Sequence, residues 1–588
     1  MLKRIISPLL LLLFAWFLIS NENAKTIIAG IAIFLIGMHY MENGFKLFSG
    51  GALESVLQKF TRTTPKAIGT GFLSTAIVQS SSLVSVIVIS FLSAELISLT
   101  SAVGVVFGSN IGTTTTAWLV SSLGLKIKIA QYALPMLIFG VIIQFSKENT
   151  YKGLGSVLIG LGFIFLGIAY MKEGFETLKE GLNLAEYAMS GYLGIFVYIA
   201  LGSIATVIIQ SSSATMAIII TALATGQIDY INALSLAIGA NIGTTVTAVL
   251  GSLASNKNGK RLAVAHFIFN IVTGLIAITF IYQLKDLVDF LAPKLFISES
   301  DYAMKLALFH TIFNVIGVLV VAPFIRPLVK FLEGLFCHQE QKSEPQLKYL
   351  SAEVMEIPAS ALEALRKETI NLYDQSLEAI IHAMNLHRKE IFSNEEVEKL
   401  IEHSNEMIDI DVDKVYQEDI KYIYSEILRY SSQSQIYMDE EANNKVYKLK
   451  LTARNIIEMV KDIRELQRNL NRFTKSKNWF MLHEYNELRG ELVTIFRSIE
   501  EIRHTKSDAT EILTQIQTLK EKANDNEFAL NTRIDALIRD DKIDSKMASS
   551  LINDVGFTHS IAKKLISAVS VLWVNDQVVS ELGDEYGD

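Results

Sequence analysis

The sequence predicts an all-α protein made of a polytopic helical membrane domain followed by a soluble bundle of antiparallel helices. Of its 588 residues 50% are hydrophobic and the mean hydropathy is +0.33, both high for a soluble chain. Apolar segments separated by short polar loops continue to about Phe336, whereas Glu, Lys, Asp and Asn dominate from Cys337 onward. Within the apolar part, the polar stretch TAIVQSSS at residues 75–82 recurs as TVIIQSSS at residues 206–213.

A membrane-crossing helix needs about 20 mostly apolar residues. Candidate segments lie near residues 26–41, 66–93, 97–124, 127–145, 153–171, 194–226, 231–254, 262–283 and 306–325. We therefore expect a membrane domain over residues 25–335, a linker at 336–350 and a soluble helical domain at 351–588. Residues 1–24 fit either a cleaved signal or a first helix, because Lys3 and Arg4 precede a short apolar run.

Two copies of one unit make up the membrane part, over about residues 26–150 and 153–283, with an extra helix at 305–325. Gln210 follows Gln79 by 131 positions, and Asn241 follows Asn110 by the same 131. The second pair belongs to GSNIGTTTTA at 108–117 and GANIGTTVTA at 239–248, and MENGF at 41–45 matches MKEGF at 171–175. Such repeats are typical of secondary transporters, whose sites lie where the halves meet. An odd number of crossings between the copies predicts that the second is inverted.

The residue types of the two motifs suit the binding of an anion together with a cation. Segments 66–93 and 194–226 are long enough for re-entrant hairpins with QSSS near the tip, which are tolerated where protein or a cavity surrounds them. Hydroxyl and amide donors and helix N-termini bind anionic oxygens, while their oxygens suit a hard cation such as sodium. Polar residues in membrane helices commonly only pack helices together. The doubling of both motifs at equal spacing favours a binding site.

These motifs resemble the sodium-dependent phosphate cotransporter family, the type II group of bacteria and animals. The likeness covers most of residues 26–325. It implies an inverted-repeat fold in which the two QSSS hairpins face each other and bind phosphate with sodium, which is the coupling ion. The ligands it implies, without assigning each to phosphate or to sodium, are Gln79, Ser80, Ser81, Ser82, Asn110, Thr113, Thr114, Gln210, Ser211, Ser212, Ser213, Asn241, Thr244 and Thr245.

The first repeat departs from the family pattern. RLAVAHFIFN at 261–270 and KLALFHTIFN at 305–314 each carry a His and an Asn at i and i+4, on one helix face, whereas the matching place of the first repeat reads QYALPMLIFG. This difference puts the sodium stoichiometry in doubt. For His266 and His310, a buried polar contact between helices is favoured over a proton relay.

The soluble part resembles a PhoU-like domain, with residues 357–380 as its opening helix and 453–463 as a later one. Apolar residues recur there every three or four positions, as in helical bundles. Glu458 and Asp462 fit the E-x-x-x-D spacing with which PhoU-like proteins bind metal. Because the matching positions Asn553 and Phe557 lack carboxylates, a solvated acidic face is favoured over a metal cluster.

Charge predicts the orientation of the chain in the cell (inner) membrane. A basic cluster at Lys257, Lys260 and Arg261 precedes one helix, and Arg326 and Lys330 follow a helix two crossings later. The positive-inside rule makes this shared side cytoplasmic. The soluble domain then lies in the cytoplasm.

The leading hypothesis is sodium-coupled symport of phosphate with a cytoplasmic regulatory domain. The alternatives are a phosphate sensor or signalling scaffold, and a transporter or channel for another small anion. The net charge of −8 argues against a nucleic-acid partner, and the single cysteine rules out an internal disulfide. No P-loop, H-E-x-x-H or nucleophile-elbow motif indicates an enzyme, and no cofactor is expected. Whether the chain forms a homodimer stays open.

Overall fold

A computed structural model describes most of the chain. The described residues are 12–49, 52–125, 130–181, 189, 191–252, 257–335, 347–355, 357–404, 407–504 and 509–574. Every regular element among them is helical, so the predicted all-α class is confirmed for this part of the chain. The chain divides into two compact units, Met1–Gln339 and Glu340–Asp588.

The first unit contains the two sequence repeats. Its helices are α1 (residues 12–20), α2 (Glu22–Ser49), α3 (Ala52–Lys59), α4 (Thr64–Val78), α5 (Ser81–Ser93), α6 (Leu99–Trp118), α7 (Ala130–Gln144), α8 (Asn149–Gly181), α9 (Gly191–Ile209), α10 (Ser212–Ala224), α11 (Tyr230–Ser252), α12 (Lys257–Thr279), α13 (Ile281–Leu291), α14 (Tyr302–Val321) and α15 (Ile325–Leu335). Of the ambiguous N-terminal segment, residues 1–11 lie outside the described residues.

Helix boundaries follow the internal repeat. Helix α9 ends 131 positions after α4, α10 begins and ends 131 positions after α5, and α11 begins 131 positions after α6. Each QSSS stretch therefore interrupts a helical segment at the same place, and each NIGTT block lies inside one continuous helix. In the first repeat, a π-helical turn at Leu119–Gly124 extends that helix.

The equivalent helices α2 and α8 pack against each other along glycines. A Cβ added at Gly37 would lie 2.7 Å from the carbonyl oxygen of Gly160, so the two backbones are in contact. The residue numbers of each contacting pair add up to 197, which means that the two helices run antiparallel. The pairs are Gly30 with Gly167, Gly37 with Gly160, and Gly44 with Gly153.

Helices α4 and α6 instead run parallel. Gly104 approaches Ala67 near their starts, and Gly112 approaches Thr75 about two turns later. Before α4 begins, the carbonyl of Thr61 accepts a hydrogen bond of 2.7 Å from the Ser101 hydroxyl in the first turn of α6. Helix α5 must therefore carry the chain back to the level at which α4 began, so α4 and α5 form a helical hairpin with QSSS at its tip.

The second repeat reproduces this packing. Gly202 contacts the carbonyl of Leu236, and Gly239 contacts that of Ile199. The same two contacts in the first repeat, 131 positions earlier, join Gly71 to Val105 and Gly108 to Ile68. Close backbone approach by glycine thus holds each hairpin against its NIGTT helix.

Five described helical stretches are long and apolar enough to cross a membrane. They are Glu22–Leu47, Asn149–Lys179, Gly191–Ile209, Lys257–Thr279 and Tyr302–Leu335. Three further apolar helices are shorter, at Ser81–Ser93, Gln131–Gln144 and Ser212–Ala224. Helix α4, with 15 residues, is about 22 Å long, less than the roughly 30 Å of a hydrocarbon core.

The second unit is a helical assembly with a large apolar core of its own. Its helices are α16 (Ala352–Met355), α17 (Pro358–Ala383), α18 (Arg388–Ile391), α19 (Val397–His403), α20 (Val412–Val415), α21 (Lys421–Ser434), α22 (Glu440–Phe473), α23 (Trp479–His504), α24 (Ala509–Arg539) and α25 (Ser545–Trp573). Asp462 contacts Lys564, and Asn469 contacts Asp554, so α22 and α25 are antiparallel neighbours.

The glycine contact between α2 and α8 can be tested by adding one methyl group. In Gly37→Ala the new Cβ would lie 2.6 Å from the Ile164 nitrogen, so the helices must separate, and overpacking typically costs about 1–3 kcal/mol. We expect a lower midpoint of thermal unfolding for the purified protein in detergent. Gly69→Ala is the matched control, because nothing lies within 4 Å of its added Cβ. Equal midpoints for both variants would contradict the backbone contact.

Candidate functional site

Both QSSS stretches form the same break between two helices. Gln79 follows the last residue of α4 in the left-handed region, with φ 59° and ψ 21°, and Gln210 follows α9 with φ 58°. A non-glycine residue pays a steric cost there, and such residues concentrate at functional sites. Ser80 and Ser211 come next in extended conformation, and the following helix starts immediately. The two residue types singled out by the sequence therefore make the turn itself.

The serine after each glutamine caps the second helix. Ser80 Oγ accepts a hydrogen bond from the Leu83 N–H at 3.2 Å, and Ser211 Oγ accepts one from the Ala214 N–H at 3.2 Å. The remaining N–H groups of the first turns of α5 and α10 are directed toward the hairpin tips. Helix N-termini of this kind favour bound anions.

Gln79 fastens the first tip to the NIGTT helix. Its Nε2 donates to the carbonyl of Ala76 at 2.6 Å and to Thr115 Oγ1 at 2.7 Å, and its Oε1 accepts from Thr116 Oγ1 at 2.8 Å. Both ends of the amide are thus bonded within the protein. In the second repeat the counterpart of Thr115 is Val246, which has no hydroxyl, and the Gln210 side chain is exposed. The contact of Gln79 with Thr115 therefore has no hydroxyl counterpart at Val246.

Motifs from the two repeats meet. Thr116 Oγ1, which contacts Gln79, lies 3.3 Å from Ser213 Oγ of the second QSSS stretch, and both are buried. Asn110 of the first NIGTT block lies 3.4 Å from His266 Nε2 on α12. The first NIGTT helix thus joins its own hairpin to the second one.

Asparagines form a buried contact beside this junction. Asn241 Nδ2 donates to Asn270 Oδ1 on α12 at 3.0 Å and lies 3.4 Å from Asn314 Oδ1 on α14. On α14, Thr311 Oγ1 donates to Thr114 Oγ1 at 3.1 Å. Asn270 Nδ2 is buried without a hydrogen-bond partner in the described structure, as are His310 Nδ1 and Thr75 Oγ1. These three buried polar atoms are therefore available for hydrogen bonds with a bound ligand.

Several predicted ligands already use their hydroxyl protons. Thr113 donates to Ser109 O, Thr244 to Ala240 O and Thr245 to Ile242 O, each within its own helix. Such hydroxyls offer oxygen lone pairs to a ligand, which suits a cation better than an anion. Among the remaining predicted residues, Ser82 is exposed, Ser81 is half-buried and Ser212 is buried.

Three participants were not among the predicted ligands. Thr115 and Thr116 stand in the run of four threonines after Gly112, so the run itself was the signal. Glu42, whose Oε2 lies 3.4 Å from Ser80 Oγ, stands in the MENGF block, where a carboxylate in an apolar helix could have identified it.

In the second unit, a lysine occupies the E-x-x-x-D pair. Lys564 Nζ lies 2.8 Å from Asp462 Oδ2 and 3.6 Å from Glu458 Oε2, and Ser560 also donates to Asp462. No group of three or more His, Cys, Asp or Glu side chains suited to a metal occurs in the described ranges. The favoured interpretation, a solvated acidic face, stays a prediction.

Comparison with known proteins relates the first unit to phosphate transporters. The family model described as Na+/Pi-cotransporter matches residues 33–173 and 187–293. A Salmonella typhimurium relative named "Putative inorganic phosphate export protein YjbB" is 27% identical over 365 residues, 59% of this chain and 62% of that protein. The chain thus spans less than two thirds of that relative's length.

Two further relatives match shorter stretches of the chain. YqeW of Bacillus subtilis, an uncharacterized protein, is 30% identical over 263 residues, which is 45% of this chain and 84% of that protein. The human sodium-dependent phosphate transport protein 2B is 41% identical over 87 residues, 14% of this chain and 12% of that protein. No solved structure matches. From the family match and these relatives we conclude that the chain belongs to the Na+/Pi-cotransporter family.

Proposed function

We propose that this protein carries inorganic phosphate across the cell membrane by sodium-coupled symport. One observation carries the proposal: the two QSSS breaks converge on the threonine run of the first NIGTT helix, through Gln79, Thr116 and Ser213. The convergence places helix N-termini, hydroxyls and amides together, with no guanidinium or ammonium group in either motif. Neutral donors hold an oxyanion loosely enough that its release depends on the departure of a co-bound cation.

The repeats are proposed to be inverted, with the two hairpins re-entrant. Support comes from the antiparallel packing of the equivalent helices α2 and α8. Helices α2 and α8 align at an offset of 130 residues, as MENGF at 41–45 does with MKEGF at 171–175. Gly30 then corresponds to Gly160 and Gly37 to Gly167, so the Gly30–Gly167 and Gly37–Gly160 contacts are each other's counterparts. Contacts of this kind are expected across a two-fold axis perpendicular to the helices. The short α4 and its return through α5 favour a hairpin that dips into the membrane and comes back.

The proposed binding set is the predicted one, extended by Thr115 and Thr116. Gln79 is proposed to act mainly by holding the first tip open, because its amide is bonded to Ala76, Thr115 and Thr116. Gln210, which is exposed, has no such brace from Val246 and is proposed to reach the ligand directly. The capped N-termini of α5 and α10 supply backbone dipoles to the same region.

The soluble domain, residues 351–588, is proposed to lie in the cytoplasm as a PhoU-like regulatory domain. Arg261 donates to the carbonyl of Glu333 at 3.2 Å, so the basic start of α12 and the end of α15 lie on the same side of the membrane unit. The positive-inside rule then favours a cytoplasmic exit for the chain.

Phosphate export is the second candidate, because the Salmonella relative carries that name. A carrier that alternates access moves its substrates along their combined gradient, so the same site serves either direction. Radiolabelled phosphate flux in proteoliposomes separates the candidates. In symport, an inward sodium gradient drives phosphate into the proteoliposomes. A dedicated exporter instead releases preloaded phosphate at a rate that does not depend on sodium.

The glutamines provide the sharpest test of the site. Gln79→Leu and Gln210→Leu keep the side-chain size and suit lipid, so membrane insertion should survive. Gln79→Leu leaves Thr115 and Thr116 without their partner, and unpaired polar groups in a dry site cost about 1–3 kcal/mol each, whereas Gln210→Leu removes a proposed ligand. We therefore expect each variant to abolish sodium-dependent phosphate uptake at near-normal expression. The control is Ser121→Ala, outside both motifs, which should transport nearly as well as the parent. Near-normal uptake by the double Gln→Leu variant would mean that the QSSS stretches only pack helices.

Removal of the second unit should separate transport from its regulation. The unit has its own apolar core, and the transport motifs all lie in the first unit. A chain ending before residue 347 should still take up phosphate in proteoliposomes, with altered dependence on internal phosphate. If this chain inserts correctly and binds no phosphate, the second unit forms part of the site and the division is wrong.

A further inference from the structure

The equivalent helices α2 and α8 differ in charge at one repeat position. Glu42 on α2 lies next to the first tip, with Oε2 3.4 Å from Ser80 Oγ. At the repeat offset of 130 residues its counterpart on α8 is Lys172, which pairs with Glu176 at 3.8 Å. The i, i+4 ion pair of Glu42 with Lys46 thus recurs in the second copy with its signs exchanged, and the carboxylate moves one turn along the helix.

The hydrogen bonds of Ser80 make its oxygen a cation ligand. Ser80 Oγ accepts from the Leu83 N–H, and it stands within reach of the Glu42 carboxylate, which can only accept. Because the separation from Glu42 is as long as 3.4 Å, the Ser80 hydroxyl can turn its proton away and offer its second lone pair, beside the carboxylate, to a positive ion. The N-terminus of α5 alone would favour an anion, and the Glu42 carboxylate offsets that dipole at this point.

The spacing of three oxygens also fits a cation. Ser80 Oγ lies 3.4 Å from Glu42 Oε2 and 3.4 Å from Ser82 Oγ, both longer than the usual O–H···O hydrogen bond of about 2.7–2.8 Å. Oxygens that bind one hard cation at about 2.3–2.6 Å, at right angles, stand roughly 3.3–3.7 Å apart. Sodium has the charge and ligand preference for such a set.

The position of Glu42 in an apolar helix favours a functional role for its carboxylate. It lies in α2, one of the stretches long and apolar enough to span a membrane, where a carboxylate is costly and usually marks an ion pathway. Lys46 forms an ion pair with the other carboxylate oxygen, Oε1, at 3.7 Å, so Oε2 is the oxygen that faces Ser80.

We propose that Glu42, with Ser80 and Ser82, binds the coupling cation at the first tip, and that phosphate binds at the second tip. Ser211 caps its helix in the same way as Ser80, and the described contacts include no carboxylate beside it. Its hydroxyl proton is thus available to an oxyanion, together with that of the buried Ser212. This assignment rests on the proposed function. It gives the cation ligands to the first repeat and the phosphate ligands to the second.

Sodium-dependent stabilisation of the purified full-length protein tests the assignment. Thermal unfolding in detergent is followed against NaCl, with choline chloride keeping the ionic strength constant, at fixed inorganic phosphate. In Glu42→Gln we expect the half-saturating sodium concentration to rise at least tenfold, while phosphate affinity at saturating sodium changes less than threefold. Lys172→Gln, the counterpart in the other repeat, should leave the sodium response unchanged.

The outcomes distinguish the inference from the function on which it rests. A parent protein that shows no sodium response removes the proposed symport itself. A parent that responds, with an unchanged response in Glu42→Gln, overturns the role of Glu42 alone. Should Glu42→Gln fail to fold, Glu42→Asp keeps the charge and shifts its position. An altered half-saturating sodium concentration in that variant supports the inference, and an unaltered one contradicts it.

Discussion

The architecture depends on the need to pair every backbone polar group in an apolar environment. A helix that stops and restarts inside the membrane exposes carbonyls at its end and N–H groups at the next start. Here Gln79 and Gln210 turn the chain in the left-handed conformation, and Ser80 and Ser211 cap the helices that follow. The backbone dipoles that the break sets free are also what an ionic substrate needs, so the turn and the proposed binding site involve the same residues.

Close packing by glycine determines where those breaks lie. Gly71 and Gly108 hold the first hairpin against α6, and their counterparts 131 positions later hold the second against α11. Further glycines bring α2 and α8 together in antiparallel register. Because these contacts join backbone to backbone, they fix the hairpin tips without long side chains, and polar residues remain free to converge through Thr116 and Ser213.

The sequence predicted the helical class, the duplication and the residues at both breaks, because doubled motifs record contacts that both copies must keep. It could not reveal that the Gln79 amide forms hydrogen bonds with Thr115 and Thr116, because those bonds depend on the parallel register of α4 and α6. Nor could it show that Glu42 approaches Ser80, because residues 38 positions apart meet only through tertiary packing. Differences between the copies, such as Thr115 against Val246, were visible in the sequence and acquire meaning only from these contacts.

One measurement tests the central claim most directly: equilibrium binding of radiolabelled phosphate to the purified protein, in sodium and in choline. If the two QSSS stretches build one composite site, one phosphate should bind per chain, and sodium should raise its affinity. Loss of either QSSS glutamine should then remove that single site. Two phosphates per chain, or one phosphate whose affinity is the same in choline, would contradict a single sodium-coupled site formed by both repeats.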